Sequence, residues 1–200
     1  MEKELIIILD PAHGYDVKGK CSPDGAHKEY LWSRERIAAL QVKLANLGYK
    51  VFRTTYDNRE PGLSYRKKVA NNLAKMGKRA LLITLHNNGA GNGADWTNAR
   101  GAEVYTSKGV TNSDKCADII IRQLQKDFPN VKMRLNVDKD LYRDKEENFT
   151  VLMGNYMAVY IEWLFQDNKD DVKMLMDDAV NAKFEDSIVS AIDKIEDSFK

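Results

Sequence analysis

The hydrophobic residues of this chain fall into short runs, and between these runs they recur at intervals of three or four positions. Short runs rich in Ile, Leu and Val are typical of strands buried in a sheet. The pattern predicts strands at 4–10 (ELIIILD), 49–55, 80–86 (ALLITLH), 102–107, 131–135 and 157–162 (MAVYIE).

The regions between these runs have the periodicity of amphipathic helices. It predicts helices at 29–47, 62–76, 112–127 and 178–199. Gly48 follows the first of them at the place where a C-cap glycine is common. Strands that alternate with helices form βαβ units. We therefore expect an α/β fold, a single domain with a mainly parallel twisted sheet flanked by helices on both faces.

Length and composition fit one ordinary globular domain spanning residues 1–200. The chain has 31 Lys and Arg against 30 Asp and Glu, so its net charge is only +1. This balance provides no electrostatic reason to expect nucleic acid or a membrane as a partner. We expect a monomer.

The N-terminal residues enter the first apolar run directly and show no signal peptide. No stretch approaches the roughly 20 apolar residues that span a bilayer. We therefore expect either synthesis in the cytoplasm without a visible signal peptide or a chain from which the signal has been removed. Cys21 and Cys116 are far apart and form no CxxC pair, so we expect two unrelated thiols rather than a disulfide.

Three of the apolar runs lead to residues that can bind a metal ion or transfer a proton. The first leads to His13, the second ends on His86 and the third ends on Glu162. Ligands of open α/β sheets bind beyond the carboxyl ends of the strands. Two imidazoles and a carboxylate at one edge of a sheet indicate a metal-dependent hydrolase.

Catalytic zinc sites typically use three ligands from His, Asp and Glu and leave one position open to water. Glu29 is the best additional acid, because it opens the first helix and can face the strand ends. His27 competes with it, and a site of His13, His27 and His86 remains an alternative.

Five segments occur in an order that resembles a known enzyme family. They are DPAHG (10–14), KEYLWS (28–33), ITLHNN (83–88), RGAEVY (100–105) and AVYIEWLFQDN (158–168). Together they resemble the zinc-dependent N-acetylmuramoyl-L-alanine amidases of the amidase-3 family, which includes AmiA/B/C and phage endolysins. LSYRKKVAN (63–71) is similar to the family's second-helix pattern. At Ala12 the chain departs from the family, where glycine is usual.

The resemblance implies a function and a set of site residues. His13, Glu29 and His86 stand at the family's zinc-ligand positions, and Glu162 stands at the position of the catalytic glutamate. The implied cofactor is Zn²⁺ and the implied fold is phosphorylase/hydrolase-like. The implied reaction cleaves the amide between N-acetylmuramic acid and L-alanine in peptidoglycan. The enzyme would then act on the cell wall, as a phage or prophage lysin or in wall remodelling.

Two other functions remain open at this point. One is a metal hydrolase that cuts another stem-peptide amide, and the other is a catalytically silent wall-binding or regulatory domain. We also expect His27 to be an exposed loop residue, Arg66 to form an ion pair, and the charged segment 138–148 to be a solvated surface. Asn87, Asn88 and Trp96 either contact substrate or belong to a solvated loop.

Overall fold

The computed structural model describes residues 3–136 and 142–200. The strands are β1 (Leu5–Pro11), β2 (Lys50–Arg53), β3 (Arg79–Asn88), β4 (Ala102–Thr106), β5 (Lys145–Glu146) and β6 (Met157–Phe165). The helices are α1 (Glu29–Asn46), α2 (Leu63–Ala74), α3 (Asn112–Asp127), α4 (Lys169–Leu175) and α5 (Asp178–Ser198).

The strands form one six-stranded sheet in the order β2-β1-β3-β6-β4-β5. Neighbouring strands are parallel except for β4 and β6, which pair antiparallel. The expected single α/β domain with a mainly parallel sheet is therefore confirmed.

Helices cover both faces of this sheet. Leu5, Ile7 and Leu9 of β1 belong to the larger core, to which α1, α3 and α5 contribute. Ile6 and Ile8 point to the smaller core on the opposite face, together with residues of α2. Burial on both faces explains why β1 is a continuous apolar run rather than an alternating one. Among the helices of the described residues, none has the length and apolar character needed to cross a membrane.

The two cysteines are free, as expected. Cys116 lies on α3 and is fully buried in the larger core. Burial raises the pKa of its thiol to about 12. Cys116 is therefore an apolar packing residue rather than a reactive thiol.

The strand predicted at 131–135 is wrong. Only an isolated bridge between Ala102 and Met133 forms there, and the edge strand is the two-residue β5. Ala102 donates its N–H to the carbonyl of Lys132. A Cβ on the neighbouring Gly101, whose φ is +109°, would lie 2.2 Å from that carbonyl oxygen. The segment therefore pairs with the first residue of β4 at one point and does not form a longer ladder among the described residues.

The charged segment 138–148 is not simply a solvated surface. Residues 138–141 lie outside the described residues. Asp144 is buried and accepts a hydrogen bond from Thr106, and Lys145 forms an ion pair with the buried Glu103. The prediction therefore fails for these two residues, because each charge has a partner on β4.

Two features near the end of the sheet were not predicted. The short helix α4 begins after Asn168, whose side chain accepts hydrogen bonds from two backbone N–H groups. It has too few residues for an apolar period to appear in the sequence. Strand β6 also continues past Glu162 to Phe165, and its pairing with β3 is interrupted by a bulge beyond Glu162. Leu164 has φ +64° within this bulge.

Candidate metal centre

His13 lies two residues beyond the end of β1, in a turn with φ +44°. This left-handed conformation is unfavourable for a residue with a side chain. Two arginines hold the turn, because Arg34 and Arg66 both donate hydrogen bonds to the carbonyl of His13, at 2.7 and 3.1 Å. The imidazole of His13 is thereby directed toward the sheet edge by backbone contacts rather than by its own packing.

Arg66 is buried and uses its whole guanidinium in this region. It contacts the carboxylates of Asp10 and Glu60, each at 2.9 Å, and the carbonyl of Pro11. The expectation that Arg66 forms an ion pair is therefore confirmed. The planar guanidinium has several N–H donors, so it can bind two carboxylates and the backbone of the turn at the same time. A lysine ammonium cannot reproduce this arrangement.

Glu29 is the first residue of α1 and is 1% exposed. Its Oε1 lies 3.3 Å from Nε2 of His13 and 3.0 Å from Nδ1 of His86. Burial disfavours its charged form, but the hydrogen bonds from His13 and His86 outweigh burial and hold the pKa of Glu29 well below its ordinary value. Glu29 is therefore an anion between two imidazoles.

His86 lies in β3 and its ring stacks on Tyr160, with the ring centroids 4.3 Å apart. The rings of His13 and His86 are perpendicular, with centroids 4.9 Å apart. Burial lowers the pKa of His86, so the imidazole is neutral near pH 7. A neutral imidazole has the free lone pair that a metal ligand needs.

These three side chains could hold a metal ion. One ligand atom from each of His13, Glu29 and His86 can be chosen so that all lie within 4.8 Å of one another. A set of two imidazoles and one carboxylate matches the donors of catalytic zinc sites and leaves a fourth position for water. Their partners on the protein also fix the orientation of the ligands, as such sites require.

Glu162 lies on β6 next to this cluster, opposite His86 in the ladder between β3 and β6. Its Oε2 is buried and has no hydrogen-bond partner among the described residues. Burial and the charge of Glu29 raise the pKa of Glu162 to about 8. A carboxyl group that takes up a proton this readily is suited to accept and return one near neutral pH.

His27 is buried, at 4% exposure, so the expectation of an exposed loop residue is wrong. Its Nε2 lies 2.8 Å from Oδ1 of Asn87. The Asn87 amide donates in turn to the carbonyls of His86 and Trp163. The metal cluster found among the described residues does not include His27. His27 therefore supports the backbone at His86, and the all-histidine site has no geometric support.

Sequence reasoning missed the contact of Gln166 with Glu29. The Gln166 amide donates to Oε2 of Glu29 at 3.3 Å, while the backbone N–H of Asn87 lies 3.2 Å from Oε1. Gln166 belongs to the last of the five quoted segments. The contact of Gln166 with Glu29 depends on the bulge in β6. The hydrophobic periodicity of the sequence does not reveal this bulge.

Two pockets flank the cluster, and both are lined by His13 and Tyr160. The apolar pocket, of about 280 Å³, also includes Leu63, Phe149 and Val151. The polar pocket has a similar volume, about 280 Å³, and its lining includes Lys20, Glu29, Asn87, Asn88, Glu162 and Asp167. Trp96 lines a separate pocket with Asp24 and Lys169. A substrate that spans both pockets would therefore contact mainly apolar side chains on one side of the cluster and mainly polar side chains on the other.

No curated protein sequence matches the chain. Solved structures, in contrast, share this architecture. An N-acetylmuramoyl-L-alanine amidase from Clostridium difficile 630 has a TM-score of 0.82 at 22% identity, covering 98% of this chain and 99% of that one. Ami1 from Mycobacterium smegmatis has a TM-score of 0.81 at 16% identity, covering 99% and 100%. The catalytic domain of CwlV from Bacillus (Paenibacillus) polymyxa var. colistinus has a TM-score of 0.79 at 18% identity, covering 98% and 99%.

At these identities the structural likeness establishes the fold alone. The family assignment comes from the sequence model of the N-acetylmuramoyl-L-alanine amidases, which matches residues 7–194 and thus nearly the whole chain. The chain therefore belongs to the N-acetylmuramoyl-L-alanine amidase family and is an amidase of peptidoglycan.

Proposed function

We propose that this chain is one zinc-dependent catalytic domain in which His13, Glu29 and His86 hold the metal and Glu162 transfers the proton. One observation carries the proposal. The nitrogen atoms of both histidines converge on a buried carboxylate, and beside them lies the carboxyl of Glu162, whose buried Oε2 has no hydrogen-bond partner among the described residues. Burying a carboxyl oxygen without a hydrogen-bond partner costs free energy, and titratable groups in such surroundings are concentrated at functional sites.

Bound zinc supplies Lewis acidity, lowering the pKa of a coordinated water and polarising a carbonyl. The protein supplies the rest of the chemistry. Glu29 provides the negative charge of the ligand set, and His86 is held neutral by burial. Glu162 accepts the proton of the attacking water as the C–O bond forms. It then delivers that proton to the leaving nitrogen of L-alanine as the C–N bond breaks.

The proposed scissile bond is the amide between the lactyl group of N-acetylmuramic acid and L-alanine of the stem peptide. Purified cell wall should release stem peptide when treated with the zinc-loaded protein, and mass spectrometry should show a new N-terminal L-alanine. A chelator should stop this release, and added zinc should restore it. Activity that ignores the chelator would contradict the metal-dependent mechanism.

The same products test the alternative functions. Fragments that retain L-alanine on the muramoyl group would identify a hydrolase of another stem-peptide amide. Stoichiometric zinc without any hydrolysis would identify a silent wall-binding domain. The proposed place of action is the cell wall, and the proposed oligomeric state is a monomer, which light scattering on the purified protein would test.

A further inference from the structure

The charged groups of the polar pocket are unevenly distributed. Glu29, Glu162 and Asp167 contribute carboxyl groups to its lining, and Lys20 is the one lysine or arginine among the lining residues. In the apolar pocket the corresponding cation, Arg66, is already bonded to Asp10 and Glu60. Among the described residues that line these two pockets, Lys20 is therefore the lysine or arginine without a carboxylate partner.

The Lys20 ammonium has no ion pair or hydrogen bond with another side chain in residues 3–136 and 142–200. The residue is half-buried. Lys20 and Glu162 line the same pocket. Burial and the charge of Glu29 raise the pKa of Glu162, and the positive charge of Lys20 acts in the opposite direction. A partly desolvated ammonium without a partner is a suitable site for an anionic ligand group.

The backbone of Lys20 is fixed relative to the candidate metal ligands. Its carbonyl accepts a hydrogen bond of 3.1 Å from the N–H of Glu29. The next residue, Cys21, forms a β-bridge with Lys28, immediately before that glutamate. A Cβ on Gly93, another residue of the pocket lining, would lie 3.7 Å from the carbonyl oxygen of Gly19, so the two loops are in contact. Lys20 therefore lines the rim of the pocket from an anchored segment.

We propose that Lys20 determines substrate specificity by binding the free α-carboxylate of the D-glutamate that follows L-alanine in the stem peptide. The proposal rests on the proposed function and assigns the peptide side of the substrate to the polar pocket. The carboxylate belongs to the residue next to L-alanine, and two extended residues span at most about 7 Å. This distance is within the reach of a lysine side chain at the pocket rim. Amidation of that carboxyl removes the charge that Lys20 would recognise.

Two synthetic substrates test the assignment. They are N-acetylmuramoyl tripeptides that differ only in carrying D-glutamate or its α-carboxamide, D-isoglutamine, at the second position. Wild type should cleave the acid with a kcat/KM about threefold to tenfold above that of the amide, the range of a partly exposed charge-assisted contact. Lys20→Met should remove this preference by raising KM for the acid, and Lys20→Arg should restore most of it.

Lys18→Met is the matched control, because Lys18 is exposed in the same segment but does not line the pocket. It should leave the preference unchanged. Equal losses on both substrates with a shifted pH profile would show that Lys20 only tunes Glu162, and would overturn the proposal. An unchanged preference in Lys20→Met would overturn it as well.

Calorimetric binding of both peptides to zinc-loaded Glu162→Gln separates the two proposals. Preferential binding of the acid that depends on Lys20, without hydrolysis by wild type, would contradict the proposed function alone. Equal binding of the acid and the amide would contradict the role of Lys20.

Discussion

His86 and Glu162 are register partners on the adjacent parallel strands β3 and β6. Paired residues on neighbouring strands direct their side chains to the same face of a sheet. The ladder therefore brings a candidate metal ligand and a candidate proton carrier to the same face of the sheet. The bulge that follows interrupts this register before the strands end.

Glu162→Gln should abolish most of the activity and leave zinc in place. The amide has nearly the same shape but cannot accept the proton of the attacking water. We expect kcat to fall by about 10²- to 10⁴-fold, the usual contribution of a general acid–base. Single-turnover kinetics and the zinc content by mass spectrometry, measured on the same preparation, test this. Full activity would exclude Glu162 as the proton carrier.

Glu29→Gln and His27→Gln form a pair that tests the ligand set. Glu29→Gln removes the anion between the two imidazoles and should reduce bound zinc to well below one per chain. His27→Gln keeps a side-chain N–H donor for Asn87 and should bind zinc as wild type does. The reverse result would favour the site of three histidines.

Arg66→Lys should weaken zinc binding without removing a ligand. The lysine keeps the positive charge but cannot bind Asp10, Glu60 and the carbonyl of His13 together. We expect about a tenfold to hundredfold loss of zinc affinity, typical for groups that orient metal ligands. Competition with a fluorescent chelator measures this affinity.

The control for this loss is Arg36→Lys. Arg36 is largely buried and forms an ion pair with Glu185 on α5, away from the cluster. This substitution should lower the free energy of unfolding and spare zinc affinity. An equal loss of affinity in both variants would mean that zinc binding follows global stability rather than the turn at His13.

Glu103→Gln should change how stability responds to acid. Burial disfavours the charge of Glu103, but contacts with Lys145, Tyr105 and Arg134 lower its pKa from 4.5 to about 2. A pKa that is lower in the folded state stabilises the protein above the unfolded value, and this contribution is lost as pH falls through the folded value. It amounts to at most about 3 kcal/mol.

Denaturant unfolding from pH 7 to pH 2 measures this contribution. Wild type should be more stable than Glu103→Gln at pH 7, and the difference should shrink between about pH 4.5 and pH 2. Glu147→Gln, at a side chain 47% exposed, is the control and should follow wild type throughout. A difference that stays constant with pH would show that the two cations do not lower the pKa of Glu103.

The predictable part of the fold is the part with a strong local pattern. β1, β3 and β6 are long apolar runs because both faces of the sheet are covered, and four of the five helices have an apolar stripe. The strand expected at 131–135 does not form, because that segment meets β4 at a single bridge. Helix α4 was missed because its seven residues are too few to show an apolar period.

The candidate site divides in the same way. His13 and His86 followed from strand ends, since the carboxyl ends of parallel strands meet at one sheet edge. Glu29 was one of two candidates from the residues alone, and the resemblance selected it. The buried position of His27 and the contact of Gln166 with Glu29 were not predictable, since both depend on which loops meet around His86.

By itself the sequence determined the α/β class and the main strands and helices, and it predicted which side chains carry the chemistry. These follow from hydrophobic periodicity and residue type, which act over a few neighbouring positions. Only the tertiary structure decided that Glu29 lies between the two imidazoles. It also decided that, within residues 3–136 and 142–200, Glu162 has an acceptor atom without a partner and Lys20 lines the pocket without an ion pair. Proton affinity and pairing depend on burial and on charges from distant segments, which no local pattern specifies.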